Sequence, residues 1–235
     1  MFDDISIKEH ICPNHDCVGF RVVEDQQYIS TRPLVDSNTE HEILEKMLED
    51  NKPPNTQPFE MSDAAKRDYL LFTPFRYPPL LSGTRYGRQT ERSIFYGSMD
   101  LSGAFAEIAH QRFRFLDDTD AKIPPVTINY TSFKFFAGTE LFIDLTKPPF
   151  NKYRSVLTDK YSYKNSQKLG SILRHKKIEL FYFFSARSEQ STNIAIFSPS
   201  VFTKRTSNHK HWQCVTHTGR VEFSMERKVL YKFSG

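Results

Sequence analysis

From residue 178 to the end, the chain reads as one strand after another with no helix between them. The stretch 178–184 (Ile-Glu-Leu-Phe-Tyr-Phe-Phe) is strongly apolar. A second apolar segment follows at 193–197, and 211–217, 220–225 and 228–233 suggest a C-terminal meander. Two further strands are expected at 126–136 and 140–145, and a short buried one at 93–96. Strands that arrive in runs, instead of alternating strictly with helices, argue against a doubly wound parallel sheet and for an α+β fold. The 21 Phe and 11 Tyr, which bring the aromatic share to 14%, favour the same reading, because these rings suit pleated, half-buried surfaces. No G-x-G-x-x-G follows a strand and no G-x-x-x-x-G-K-[ST] occurs. A dinucleotide bound here would be held without the Rossmann or P-loop devices.

Helices are expected at three places. Ser37 and Glu40 form an S-x-x-E capping pair ahead of Ile43, Leu44, Met47 and Leu48, which predicts a helix over 37–50 that Lys52-Pro53-Pro54 stops. Asp100 or Ser102 caps a helix of about 101–116, whose apolar members Leu101, Ala104, Phe105, Ile108 and Ala109 fall at helical spacing. Leu169, Ile172 and Leu173 share one face of a helix over 165–177. Residues 1–20 read as irregular and rich in His and Cys, and 52–68 as a polar linker. The prolines at 74, 78 and 79 exclude a central strand or a helix interior from 70–87. The organisation expected is an N-terminal extension over 1–67, carrying the 37–50 helix, and a main domain over 68–235.

The net charge of +4 is mild. It permits an anionic ligand without requiring a nucleic acid. Three cysteines make no disulfide framework, so a reducing compartment is expected. The N-terminus lacks an apolar signal segment, and the longest apolar run, 180–184, is far too short to cross a bilayer. The expectation is a soluble cytoplasmic protein with no membrane partner.

Three local patterns carry chemistry. Gly83-Thr84-Arg85-Tyr86-Gly87 sets an arginine and an aromatic ring between two glycines, where backbone can approach a ligand closely and a guanidinium can grip phosphate. Phe95-Tyr96-Gly97 puts a tyrosine at a strand end. Ala104-Phe105-Ala106-Glu107-Ile108-Ala109 places a carboxylate at the flank of an apolar helix face. Glu107 lies about 60° round the helix from Ala104, so it either points along the core edge into a cleft or faces solvent. In a cleft its charge would need a cationic answer, for which Arg85 is the candidate.

Arg85, Tyr96 and Glu107, followed by Phe184-Ser185-Ala186-Arg187 and Asn193-Ile194-Ala195-Ile196-Phe197, resemble the RES domain, named for an Arg, a Glu and a Ser. The likeness covers residues 68–202 well. Upstream, Arg21-Val22-Val23-Glu24 and the segment 70–79 resemble a subgroup with an N-terminal extension. The resemblance implies an ADP-ribosyltransferase-like fold, a split and mostly antiparallel sheet with helices around it. It also implies an NAD-consuming toxin of a toxin–antitoxin system, with ADP-ribose passing to water, phosphate or protein (a hydrolase or transferase), and an Xre-type helix-turn-helix antitoxin as partner. NAD is then a substrate, and neither a further cofactor nor a metal is needed.

The chemistry suits those residues. Nicotinamide leaves NAD as a neutral group, so no general acid is needed, and the ribose passes through an oxocarbenium-like state that a carboxylate stabilises. Glu107 is assigned that role. Arg85, with Arg187 in support, answers the pyrophosphate, and Tyr96 and Tyr86 offer rings for stacking. Ser185 bonds the nicotinamide or its ribose, and Asn193 either holds its strand or touches the ligand. Two other readings compete. His10, Cys12, His15 and Cys17, or His209, His211, Cys214 and His217, are zinc-ligand types at loose spacing. Lys204, Arg205, His209, Lys210, His211 and Trp212 form a basic, partly aromatic stretch, read as a solvated loop. It supports an RNA-binding or RNA-cleaving toxin as the alternative, although no direct nucleic-acid partner is expected. A decayed, non-enzymatic module is a third reading. Sheet edges favour a homodimer.

Overall fold

The computed structural model describes residues 2, 5–25, 34–51, 61–119 and 124–235. These form an α+β architecture around one nine-stranded sheet. Strand β1 spans His15–Glu24, β2 Phe95–Ser98, β3 Val126–Thr139, β4 Phe142–Asp144 and β5 Leu180–Phe184. Strand β6 spans Thr192–Ile196, β7 Phe202–His217, β8 Arg220–Met225 and β9 Lys228–Ser234. Their order across the sheet is β4-β5-β6-β2-β1-β3-β7-β8-β9. The β4–β5 pairing is parallel and the other pairings are antiparallel. Strand β1 pairs with β3 along its whole length but meets β2 at a single register pair, Phe20 with Ser98. The sheet therefore divides into two halves that join at this point. The ring of Phe135 lies over the joint, and a Cβ at either Gly19 or Gly97 would collide with it.

Helices cover both faces. α1 is Asn38–Asp50, α2 Asp63–Lys66, α3 Tyr69–Arg76, α4 Leu101–Asp117, α5 Arg154–Leu157 and α6 Lys164–His175. Side chains alternate in β5, as period-2 geometry requires. Leu180 and Tyr182 join a core with Ala65, Leu71 and Phe75 of α2 and α3, whereas Phe181 and Phe183 join Leu169 and Leu173 of α6. On the α6 side of the sheet, α4 sets Ala104, Phe105 and Ala109 against Tyr130, Trp212 and Phe223. Asp100 starts α4 by accepting from the Gly103 amide (2.7 Å). No helix among the described residues is long and apolar enough to cross a membrane.

Four local expectations change. Of the 1–20 stretch expected to be irregular, 15–20 instead open strand β1, which runs on to Glu24. The strand is hard to see because Cys17, Gly19 and Arg21 share one face with no apolar run, and both faces are partly covered. Residues 69–76 form a helix despite Pro74. Pro74 lies in the last turn, where it costs one backbone bond, and burial of Leu71 and Phe75 outweighs that loss. Strand β7 begins at Phe202 instead of 211, because three register shifts against β3 scramble its alternation. Helix α1 has the expected reciprocal cap, with Glu40 N to Ser37 Oγ and Ser37 N to Glu40 Oε2 both at 3.1 Å. Its apolar members Ile43, Met47 and Leu48 nonetheless stay exposed. Of the 52–68 linker, 52–60 lies outside the described residues and 63–66 is helical.

Candidate active site

The loop at 83–87 is built as a tight turn. Gly83 has φ of 69°, the region glycine enters without a Cβ penalty. The Thr84 amide donates to Gly87 O at 2.7 Å. From α6, Gln167 Nε2 donates to Thr84 O (3.0 Å) and Ser82 O (3.2 Å). From β2, the Tyr96 hydroxyl meets Thr84 Oγ1 at 2.9 Å and accepts from the Tyr86 amide at 3.1 Å. Burial pushes the Tyr96 phenol up to about 12, so it stays a protonated donor at neutral pH. Tyr96 thus clamps the loop to the strand.

The loop directs its two central side chains oppositely. The Tyr86 ring is 1% exposed and meets Phe181 and Phe183 edge-on. It is part of the core and does not reach a ligand surface, a correction to its expected stacking role. Arg85 points outward. Its Nη1 donates to Leu157 O (3.0 Å) and Asp159 O (2.9 Å), and its guanidinium sits 4.7 Å from the Tyr163 ring centroid.

On α4, Glu107 Oε1 accepts from Asn193 Nδ2 of β6 at 2.9 Å and from Ser185 Oγ at 3.3 Å. Ser185 Oγ itself accepts from the amides of Arg187 and Ser188, both at 3.1 Å. Two residues, 78 and 86 positions away along the chain, therefore converge on one carboxylate. Ser185 and Asn193 are buried, and they position Glu107 by hydrogen bonds. The expected Arg85–Glu107 pairing is not made. Backbone carbonyls and a ring satisfy Arg85, whereas side-chain donors satisfy Glu107.

One turn beyond Glu107, His110 lines a cleft of about 1090 Å³ with Arg114, Lys160, Tyr163, Gln167 and Arg187. That volume lies just above the roughly 300–1,000 Å³ usual for small-molecule sites. Burial, then the charges of Arg187, Arg114, Arg85 and Lys160, hold the His110 imidazole down to about 4. Arg85 and Arg187 are thus near enough to act on the helix that carries Glu107. The Nε of Arg187 and the Oδ1 of Asn193 are buried without a hydrogen-bond partner. Sequence reasoning missed His110 and Arg114, although the spacing 107, 110, 114 marks a single helix face.

The zinc-type residues are used elsewhere. His15 stacks on Phe142 and meets Tyr182 OH at 2.8 Å, while Cys17 and Cys214 are buried. Among the described residues no three His, Cys, Asp or Glu side chains gather as a metal site. The basic stretch 204–212 is strand, not loop, and Trp212 is 4% exposed with its Nε1 bonded to Ser132 Oγ (2.9 Å). The buried indole is therefore not presented for a base to stack on.

The model of one protein family, the RES domain, matches residues 58–217. The chain belongs to the RES-domain family. The matched span runs from before α2 to the end of β7, so it holds the whole Arg85–Glu107–Ser185–Asn193 arrangement, while β1 lies outside it and still occupies the sheet centre. Among solved structures, this RES-domain chain is similar to one described as the crystal structure of the M. tuberculosis MbcT–MbcA toxin–antitoxin complex. The identity is 9%, 87% of each chain is covered and the TM-score is 0.49. No curated protein sequence matches the chain significantly.

Proposed function

We propose that this RES-domain chain is a toxin that consumes NAD by breaking its nicotinamide–ribose bond. The observation that carries the reading is the Glu107 carboxylate, fixed through Oε1 by Asn193 and Ser185 beside a cleft of dinucleotide size. With Oε1 occupied, Oε2 is left to take a ribose hydroxyl and to face the positive charge that develops as nicotinamide departs. Ser185 already accepts two amide bonds and gives its own hydrogen to Glu107, so it serves as a support that fixes the carboxylate. Arg187 and Arg85 supply positive charge for the diphosphate. The site works in the cytoplasm, where an Xre-type antitoxin that covers the cleft keeps it silent.

The test is nicotinamide release from NAD by the purified chain, with product masses determined with and without phosphate to separate the acceptors. Glu107→Gln is expected to stay folded and to lose about 100-fold or more in turnover. Turnover of Glu107→Gln at the wild-type rate would overturn the reading.

A further inference from the structure

A sheet is stable when each apolar face is buried against another element, and one face here is left partly bare. Helix α4 covers it where Val22, Tyr130 and Trp212 lie. Beyond Val22 the same face continues through Phe20 and Val18, which stand opposite Lys134 and Phe136 of β3. Val18 is 43% exposed, and Phe20 and Phe136 are half-buried. Strand β7 adds Lys204 opposite Phe136 and Lys210 opposite Ser132. The Lys134 ammonium lies 5.5 Å from the Phe20 ring centroid, and that of Lys204 lies 5.4 Å from the Phe136 centroid. Among the described residues no carboxylate pairs with Lys134, Lys204 or Lys210. Asp16 is the acid on this stretch of β1. The result is an apolar strip edged with lysines.

Helix α1 has the complementary make-up and the same lack of cover. Ile43, Met47 and Leu48 are exposed, and the sequence of Asn38–Asp50 holds five Asp or Glu against one Lys. Glu45 lies one turn from Leu48 and Asp50 one turn from Met47, so acids flank the apolar stripe. We propose that α1 of a second copy lies on the β1–β3–β7 face, and that the chain dimerises by reciprocal exchange of this helix. None of these residues lines the cleft, so the inference stands apart from the NAD reading.

Shape, polarity and charge all agree. Three strands about 4.8 Å apart present a strip about 10 Å wide, the diameter of one helix. The stripe of α1 buries Val18, Phe20 and Phe136, while Glu45 and Asp50 answer the lysines at the rim. The occupant is a helix and not a polynucleotide, because both surfaces expose aliphatic side chains and the lysines lie across the two rings on which a base would stack. It comes from a second copy, because an α1 folded back on its own sheet would bury Ile43, Met47 and Leu48, and the single chain exposes them. Two identical contacts related by a twofold axis close the assembly at two copies.

Gel filtration with light scattering on the full chain should show a dimer at micromolar concentration that loosens as salt is raised. Two charge-reversed variants test the contact. Lys134→Glu with Lys204→Glu makes the face acidic like the helix, and Glu45→Lys with Asp50→Lys makes the helix basic like the face. Each variant alone should dissociate at least about tenfold more readily than the wild type. Mixed, the two restore opposite charges at both contacts and should elute again as a dimer, which also shows that both are folded. A wild type that stays monomeric at high micromolar concentration overturns the proposal, whether α1 folds back on its own chain or the lysines hold added polyuridine instead. Variants that dimerise alone as tightly as the wild type, or a mixture of folded variants that stays monomeric, overturn it equally.

Discussion

Replacing Asn193 with alanine removes the 2.9 Å bond that its amide donates to Glu107 Oε1. A buried hydrogen bond to a carboxylate contributes about 1.5–3 kcal/mol. If that energy serves mainly to hold Glu107 in its working rotamer, its loss appears in the chemical step as a fall of about 10- to 150-fold in kcat, with KM little changed. Stability should suffer far less. The Oδ1 of Asn193 is already buried without a partner, so deleting the side chain removes an uncompensated acceptor along with a useful donor. The net cost is about 1 kcal/mol or less. Steady-state nicotinamide release and urea unfolding measure the two effects separately. A double-mutant cycle decides the mechanism, because on a Glu107→Gln background Asn193→Ala should cost almost nothing further in rate. Additive losses in the cycle, or a lone Asn193→Ala with unaltered kcat, would refute the argument that Asn193 acts through Glu107.

Tyr96→Phe deletes the hydroxyl that joins β2 to Thr84 and to the Tyr86 amide. It should cost about 1–3 kcal/mol in urea unfolding, because a buried amide loses its acceptor, and it should free the 83–87 loop for faster amide exchange. The low His110 value of about 4 in the folded chain lies below the ordinary value of the unfolded chain. The neutral ring therefore contributes stability that is present above pH 6.5 and is lost as pH falls toward 4. Thermal melts of the ligand-free wild type should drop across that window more than those of His110→Gln, and identical slopes would show that the ring does not titrate as described.

Much of the fold and of the candidate site was legible from residue pattern, for reasons that can be named. Helix α4 announced itself by an Asp cap and a regular apolar stripe, and both are present in the structure. Strands β5, β6, β8 and β9 stood out because their apolar runs are short and bounded. Strand β1 was hidden because it lies between two strands of the sheet and sets Arg21 over the Phe95 ring, so neither face reads as apolar. Strand β7 was half hidden because bulges break period-2 alternation where it crosses β3. At the site, Arg85, Glu107, Ser185 and Asn193 could be named, but their pairings could not. Which oxygen meets which amide depends on the sheet register that brings Asn193 of β6 opposite Ser98 and Phe183, and no local pattern encodes that register. Tyr86 was misplaced because a turn residue next to a ligand-facing arginine can point to either side. The fully apolar Phe181–Phe183 surface below draws the ring inward.

The way this chain anchors arginines explains how such a cleft can keep its charge. Arg85 is fixed by carbonyls and the Tyr163 ring. Arg154 is fixed by Glu189 O (2.7 Å) and the Phe184 ring, 4.3 Å away, and Arg21 by Tyr96 O (3.1 Å) and the Phe95 ring at 4.4 Å. A carboxylate partner would orient a guanidinium equally well but would cancel its field. Carbonyl dipoles and aromatic faces hold the fork in place while leaving a full positive charge to act at a distance. Burial makes this costly: Arg21, partly covered between the strands, is pulled down to about 10 by desolvation. An anion that enters the cleft gains from each uncancelled charge and relieves the repulsion that adds to burial in keeping His110 neutral.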